Sequence, residues 1–346
     1  MRLDKLWPVL GLVACTGGSS VCTGCADTGG ADEWVDLPGG EAGIALDDLR
    51  YSATLGKLVV AAGRTGKVDL VDPDTLEVTE ISGFTTFDDY NGSDQQGVES
   101  ADEGSGLVYA VDRAAFTLSV IDPEQGEIIA TTELEHTEPD YVRVAVSTGE
   151  LWISNYGAGR LEVLDAPGAD APVHDAFVEL ADGPEGLTVD EARGQVYTRY
   201  FGGDVAVIDL VTHELLAEWP TGCSSAHGIA VLDDAGGRLF VGCGSAEAVV
   251  LDLENDGAIL DDYPFGPGST IMTYSESLHH LYLRGDGYPE VAILGVSSAG
   301  SLTLLGSVQA SDKGHCMQAD ASDHLWVCDW THGRLLQFTD DFPASG

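Results

Sequence analysis

The sequence predicts an all-β chain of seven similar units, each with four antiparallel strands. A pattern of two short strands around a tight turn, as in GELWISNYGAGRLEVLD, is repeated along the chain, and bulky residues alternate within each strand. The seven copies begin at Gly56, Gly106, Gly149, Gly194, Gly237, His280 and His324. Their starts lie 43 to 50 residues apart, which is typical of the blades of a β-propeller, and helical periodicity is nearly absent. We therefore expect a seven-bladed β-propeller.

The four strands of a unit follow one another in the chain. The first lies at the central channel, as in GIAV from Gly228, and the repeated pair comes next. A more polar outer strand closes the unit, as in LLAEW from Leu215. The last unit has only three strands before the chain ends. We expect EWVDL, residues 33–37, to supply the missing outer strand, because this N-terminal strand would close the ring and cover an exposed sheet edge.

The first 30 residues predict processing and attachment. LVAC, residues 12–15, resembles the cleavage site of bacterial lipoproteins, which implies a signal peptide over residues 1–14 and lipidation of Cys15. An ordinary secretory signal or a short membrane helix is the alternative, although the apolar run falls short of the roughly 20 residues that span a bilayer. Residues 15–30 predict a flexible tether, and residues 31–346 a single propeller domain. By the same resemblance, Thr16 implies the outer membrane.

The seven cysteines become an even set once Cys15 is assigned to lipid. Cys316 and Cys328 should lie opposite each other on adjacent strands, and Cys223 and Cys243 should reach the same face of one blade. Both pairs suit disulfides in an oxidising compartment. Cys22 and Cys25 form a C-x-x-C in the tether, for which a local disulfide and pairing with another chain both remain open.

Acidic residues dominate the charge. The chain has 58 acidic and 15 basic residues and a net charge of −43. This excludes nucleic acid as a general partner, because phosphate binding depends on Lys and Arg. It also opposes attachment to an anionic membrane by charge, so attachment depends on the lipid. We expect a monomer with no cofactor. A divalent metal such as calcium is the exception we allow, although no D-x-D-x-D-G loop occurs.

Recurring charged residues suggest two interpretations. Five aspartates end the third strand of successive blades: Asp72, Asp122, Asp165, Asp209 and Asp252. We interpret them as turn residues that accept hydrogen bonds from backbone amides, rather than as metal ligands. Five arginines share the connecting-loop face: Arg64, Arg113, Arg143, Arg199 and Arg284. They would bind a carboxylate or phosphate if they converge, and the alternative is that each pairs with a neighbouring acid.

The same face also receives histidines and a long loop. His227 and His315 come just before or at channel strands, and with Glu185 they are candidates for a metal or acid–base site at the channel mouth. Glu99 and Gln318 are further candidates. Residues 85–96 form a long polar loop, with Phe84, Phe87 and Tyr90 as a lid over the mouth or as packing for the loop. No Walker loop, dinucleotide fingerprint or G-x-S-x-G occurs.

LWISNYGAGRLEVLD and VYTRYFGGDVAVIDL resemble the repeat of the YVTN-type (YncE-like) β-propellers over about residues 49–338. The resemblance implies the propeller fold and a binding role. Only Asn155 keeps the family's asparagine at its position, and the negative charge opposes the DNA binding attributed to some relatives.

Two functions follow as hypotheses. The first is a lipid-anchored, non-catalytic binding or scaffold protein of the cell envelope, with a protein, peptide or glycan partner on the connecting-loop face. The second is an enzyme, because the HGIA segment from His227 also resembles streptogramin-lyase-like and gluconolactonase-like propellers. That resemblance implies a metal-dependent lyase or lactonase-like hydrolase, with its site at the channel mouth.

Overall fold

The structure is a computed structural model that describes residues 30–135, 138–155, 157–166, 168–225 and 227–346. The predicted signal peptide, the lipidation site Cys15, and Cys22 and Cys25 lie outside these residues. In the part described, 28 strands form seven antiparallel sheets of four strands each. The chain is a seven-bladed β-propeller, as the repeat predicts.

The strands are numbered β1 to β28 in chain order. The N-terminal strand β1 is Glu33–Asp36. Blade 1 is Leu49–Ser52, Lys57–Ala61, Lys67–Val71 and Val78–Ser82 (β2–β5). Blade 2 is Val98–Gly104, Leu107–Asp112, Thr117–Asp122 and Glu127–Glu133 (β6–β9). Blade 3 is Pro139–Ala145, Glu150–Asn155, Arg160–Asp165 and Val173–Glu179 (β10–β13). Blade 4 is Pro184–Asp190, Gln195–Tyr200, Val205–Asp209 and Leu215–Trp219 (β14–β17).

The remaining blades continue the same order. Blade 5 is Val231–Asp233, Arg238–Gly242, Glu247–Asp252 and Ala258–Pro264 (β18–β21). Blade 6 is Thr270–Ser275, His280–Gly285, Glu290–Val296 and Leu302–Gln309 (β22–β25). Blade 7 is Met317–Ala319, His324–Asp329 and Arg334–Thr339 (β26–β28), with β1 as its fourth strand.

Hydrophobic side chains fill the spaces between neighbouring blades. The buried residues form seven clusters, one at each of the seven blade–blade contacts. Trp152 packs between blades 3 and 4, and Trp326 between blades 7 and 1, and both side chains are fully buried. The two middle strands of each blade are buried on both faces, which is why their sequences are the most apolar part of the repeat.

The N-terminal strand completes the last blade, as predicted. Strand β1 pairs antiparallel with β28, with Trp34 opposite Leu336 and Val35 opposite Leu335. The closure continues beyond the strand, because the backbone N–H of Ile44 donates to the carbonyl of Trp330 at 2.9 Å. The two ends of the chain therefore hold the ring together.

We predict that closure depends on the inward face of β1. Val35 is 4 % exposed and packs in the cluster between blades 7 and 1, whereas its neighbour Trp34 is 40 % exposed. Val35→Ser removes buried methyl groups and buries a hydroxyl, so it should lower the free energy of unfolding by about 2–3 kcal/mol. The matched change Trp34→Ser should lower it by less than about 1 kcal/mol. Urea denaturation measures both, and equal effects would contradict a sealing role for β1.

Both predicted disulfides are confirmed. Cys316 and Cys328 are bonded across a register in which Met317 faces Val327, and their Cα atoms are 5.4 Å apart. Cys223 and Cys243 are bonded in blade 5, with Cα atoms 5.3 Å apart. Each disulfide links the segment that precedes the inner strand of its blade to the second strand of that blade or to the residue just after it.

The recurring aspartates are turn residues where the structure shows their contacts. Oδ1 of Asp72 accepts hydrogen bonds from the backbone N–H groups of Asp74 and Thr75. Asp122, Asp209 and Asp252 make the equivalent contact to amides that follow them. Hydrogen bonding to the amide of Thr75 lowers the pKa of Asp72 below its ordinary value. The interpretation as turn residues is therefore confirmed for these four.

The C-terminal tail packs on blade 6. His280 is fully buried, with Nδ1 2.7 Å from Oδ2 of Asp340 and Nε2 3.1 Å from the carbonyl oxygen of Pro343. The backbone N–H of Ser345 donates to the carbonyl of Leu278.

Among the residues that the structure describes, no helix is long and apolar enough to cross a membrane.

One buried carboxyl in blade 1 makes stability depend on pH. Asp69 in β4 is fully buried, and neither side-chain oxygen has a hydrogen-bond partner among the described residues. Burial raises its pKa to about 7 from the ordinary 3.8. The folded state therefore favours the protonated carboxyl. This preference contributes its full stabilisation below pH 3.8, and the stabilisation is lost as the pH rises through about 7.

We predict that Asp69→Asn removes this dependence. The free energy of unfolding of the variant minus that of the wild type should increase between pH 4 and pH 8 by on the order of 3 kcal/mol, since each pKa unit corresponds to about 1.4 kcal/mol. The control is Asp72→Asn, in the turn that follows strand β4, and the same difference should show no such increase for this variant. Denaturant titrations across this pH range measure the difference, and a flat difference for Asp69→Asn would contradict the prediction.

Candidate functional site

All seven inner strands begin on the face that carries the connections between blades, which we call the connecting-loop face. Residues at or just before these starts therefore converge on the channel mouth. Six blades place a polar side chain there: Asp47, Glu99, Asp140, Glu185, His227 and His315. The structure places Glu185, His227 and His315, the three candidates named from the sequence, together at this channel mouth.

These side chains line a cavity of about 210 Å³. Its complete lining is Asp47, Asp94, Gln95, Glu99, Arg113, Asp140, Tyr141, Glu185, Phe201, His227 and His315. Five carboxyl groups thus face one arginine and two histidines. We call this space the acidic cavity.

A chain of contacts links Asp47, His315 and His227. Nδ1 of His315 lies 2.5 Å from Oδ1 of Asp47, and Nε2 of His315 lies 3.2 Å from Nδ1 of His227. Burial lowers the pKa of His315, but the adjacent Asp47 carboxylate outweighs it and raises the pKa to about 9. Burial and the charge of His315 lower the pKa of His227 to about 4. At neutral pH His315 is therefore cationic and His227 is neutral.

A second contact network joins blades 2 and 3. Nη1 of Arg113 donates to Oε1 of Glu99 at 2.6 Å and to Oδ1 of Asp140 at 2.9 Å. Burial and the neighbouring Asp140 carboxylate raise the pKa of Glu99 well above its ordinary value. Burial and the Asp47 carboxylate do the same for Asp140. One guanidinium therefore does not fully compensate the two buried acids.

Two further carboxyl groups complete the acidic surface. Burial raises the pKa of Glu185, whose Oε1 accepts a long hydrogen bond from the backbone N–H of Gly228 at 3.4 Å. Burial and the Asp47 carboxylate raise the pKa of Asp94. Groups with such shifts, gathered in one concave space, are typical of functional sites.

The long loop reaches the cavity through polar residues. Phe84 is buried in the cluster between blades 1 and 2, and Tyr90 packs against the cluster between blades 7 and 1. Phe87 is 37 % exposed, and its backbone N–H donates to the carbonyl of Arg64. Asp94 and Gln95 are the loop residues that line the cavity. The packing interpretation thus fits Phe84 and Tyr90, and none of the three aromatics lines the acidic cavity.

The five arginines share the predicted face, but the structure does not bring them together. Arg113 lines the acidic cavity, and Arg143 forms a two-pronged ion pair with Asp48 at 2.8 and 3.0 Å. The other three donate to backbone carbonyls: Arg64 to Gly39, Gly43 and Phe87, Arg199 to Gly228 and Gly242, and Arg284 to Gly285 and Ser311. Pairing with a neighbouring acid, the alternative we gave, holds for Arg113 and Arg143.

A second, larger cavity of about 580 Å³ lies at the other end of the channel. Gln318, expected at the connecting-loop face, lines this cavity instead. It lies three residues beyond His315, which is the residue of blade 7 that lines the acidic cavity. A small space of about 30 Å³ lies between the two cavities, lined by Tyr141, Met272 and Met317 among others. The channel is therefore nearly closed at its middle.

Three acids that line the cavity, Asp47, Asp94 and Asp140, were not predicted from the sequence. Asp47 and Asp140 lie ten residues before the second strand of their blades, as Glu185 does, and His315 lies nine residues before it. This equivalence was a readable signal for Asp47 and Asp140. Asp94 had no such signal, because its approach depends on the path of the long loop.

No protein-family model matches the sequence, and no curated protein matches it. Solved structures match in fold. A chain in the crystal structure of a mitotic checkpoint complex superposes with a TM-score of 0.72 at 14% identity, over 94% of this chain and 99% of that one. The Cps50 (Swd1) β-propeller domain of Myceliophteria thermophila gives 0.70 at 11% identity, over 89% and 99%. Hydrazine synthase of Kuenenia stuttgartiensis gives 0.67 at 12% identity, over 94% and 99%. These likenesses show the fold alone.

Proposed function

We propose that the protein is a lipid-anchored binding protein of the cell envelope, which takes a positively charged group of a protein or peptide partner into the acidic cavity. Attachment would be through Cys15 at the outer membrane, with residues 15–30 as the tether. The assignment to the YVTN-type (YncE-like) propellers belongs to this proposal and is supported by the repeat pattern together with the seven-bladed fold.

The proposal rests on the excess of acidic over basic side chains in the acidic cavity. Its two cationic side chains already have carboxylate partners: Arg113 contacts Glu99 and Asp140, and His315 contacts Asp47. Acidic oxygens remain in excess, so an entering lysine or arginine side chain would be favoured and an anion opposed. This choice narrows the sequence hypothesis, which included glycans and anionic ligands.

The position of the cavity fits a binding role. It opens on the connecting-loop face, where loops from different blades meet around the channel mouth. One solved structure with this fold belongs to a mitotic checkpoint complex, and another is the Cps50 (Swd1) β-propeller domain. That use of the fold in an assembly supports a partner-binding role for this chain by analogy.

We predict that the cavity selects lysine- and arginine-containing peptides. Fluorescence anisotropy with labelled peptides that differ only in one Lys, Arg, Gln or Glu should show binding for the first two. Glu185→Gln keeps the shape and removes one charge, so affinity should fall about tenfold or more. Glu214→Gln, an exposed change in the same blade, should leave affinity unchanged. Equal losses in both variants would mean that only the net charge of −43 attracts the peptide, contrary to the proposal.

A second candidate function is a metal-dependent lyase or lactonase-like hydrolase. It is favoured by the contact between His227 and His315 and by the presence of Glu185 in the same cavity. His227 is neutral at pH 7, and with a pKa lowered to about 4 it would act only as a weak general base.

We predict for this alternative that lactone or ester turnover would require His227. Wild type and His227→Gln are compared with a panel of lactones in the presence of Zn²⁺, Mn²⁺ or Mg²⁺. Turnover in the wild type alone would support the enzyme, with His279→Gln on the opposite face as the control that keeps activity. No turnover with any metal leaves the binding function as the better account.

A further inference from the structure

We propose that the acidic cavity binds one divalent metal ion of the zinc class through Asp47, Asp94 and His315. One carboxylate oxygen from each aspartate and one ring nitrogen of His315 lie within 4.8 Å of one another. Two ligand atoms that each lie about 2.0–2.2 Å from one ion are at most about 4.4 Å apart, so the group would close slightly around an ion. The ion would also displace the proton that His315 carries. The three residues come from three different parts of the chain, so the folded ring creates the set.

A buried carboxyl oxygen beside this set lacks a hydrogen-bond donor within the described part of the chain. Glu99 has a side chain that is 1 % exposed, and no hydrogen-bond donor among the described residues reaches its Oε2. Oxygens of Asp47, Glu99 and Asp140 also lie within 4.8 Å of one another. Asp47 belongs to both groups, so an ion bound at Asp47 would reduce the repulsion in each of them.

The donor set selects the kind of ion. An imidazole together with two carboxylates suits Zn²⁺ and other divalent transition metals, whereas Ca²⁺ and Mg²⁺ prefer oxygen donors alone. The site therefore narrows the expectation of a metal such as calcium to the zinc class. Three protein ligands leave a position for a further ligand. His227 lies in the same cavity, with its Nδ1 3.2 Å from Nε2 of His315.

This inference deepens the second candidate function, because it names the ion and its ligands at the same cavity, and it is independent of peptide binding. Absence of Zn²⁺ binding in a chain that still selects Lys and Arg peptides would refute the metal site and leave the proposed function intact. Zn²⁺ binding in a chain that does not select among the peptides would refute the proposed function and leave the metal site intact.

The test is metal titration of the untagged full chain after dialysis against chelator. Cys22→Ser and Cys25→Ser are introduced first, because a C-x-x-C pair binds zinc on its own. Calorimetry with Zn²⁺, Co²⁺, Mn²⁺, Ca²⁺ and Mg²⁺ should give one Zn²⁺ per chain, with Ca²⁺ and Mg²⁺ much weaker. Asp94→Asn and His315→Gln should each weaken Zn²⁺ binding by about tenfold or more.

The control is the other group of potential ligands in the described residues outside the cavity, Glu150, Asp175 and His213. His213→Gln in the same background should leave Zn²⁺ affinity unchanged. Asp94 lies on a surface loop, so Asp94→Asn decides the outcome if buried His315→Gln fails to fold. Visible absorption of bound Co²⁺ should change in Asp94→Asn and not in His213→Gln. Absence of Zn²⁺ binding, or loss only in His213→Gln, would overturn the proposal.

Discussion

Strand β1, residues 33–36, hydrogen-bonds to β28 and so belongs to the last blade of the ring. The connection from β1 to β2 then crosses the seam between blades 7 and 1 and is held there by Arg64, which donates to the carbonyls of Gly39 and Gly43. This path places Asp47 against His315 of blade 7. The contact that closes the ring therefore also builds the acidic cavity, and neither would exist in an open chain of blades.

The ring holds together charges that would separate in a looser structure. Five carboxyl groups share one cavity in a chain whose net charge is already −43. Burial of such groups opposes stability unless each gains a partner, and Arg113 and His315 provide only part of that compensation. The hydrophobic contacts between the blades must offset the remainder. A cavity that costs stability in this way is better explained by binding than by folding.

The fold could be predicted from sequence because its information is local and repeated. Strand alternation, blade spacing and the missing fourth strand of blade 7 are visible along the chain, and the Cys316–Cys328 pair follows from strand register. The cavity was predicted only in part. His227 and His315 lie within one residue of the same blade position, whereas Asp94 arrives through a loop held by contacts such as Lys313 with the carbonyl of Gly92. The positions of the arginines in the repeat predicted the face that they share. They did not predict the hydrogen-bond partners, because every residue has a backbone carbonyl and the sequence does not show which one an arginine contacts.

Since seven blades repeat one backbone, the side chain at a single blade position decides what each blade contributes to the mouth. Blade 6 has Thr270 at the place that His315 occupies in blade 7, because Met272 and Met317 hold the same register against the second strand of their blades. The Thr270 hydroxyl donates to the carbonyl of Glu247 and does not line the acidic cavity, so the two histidines of blades 5 and 7 contact each other across blade 6. The acids of blades 1 to 4 lie on the remaining side. Blade 6 thus makes a nearly symmetric ring asymmetric, with histidines on one side of the mouth and acids on the other.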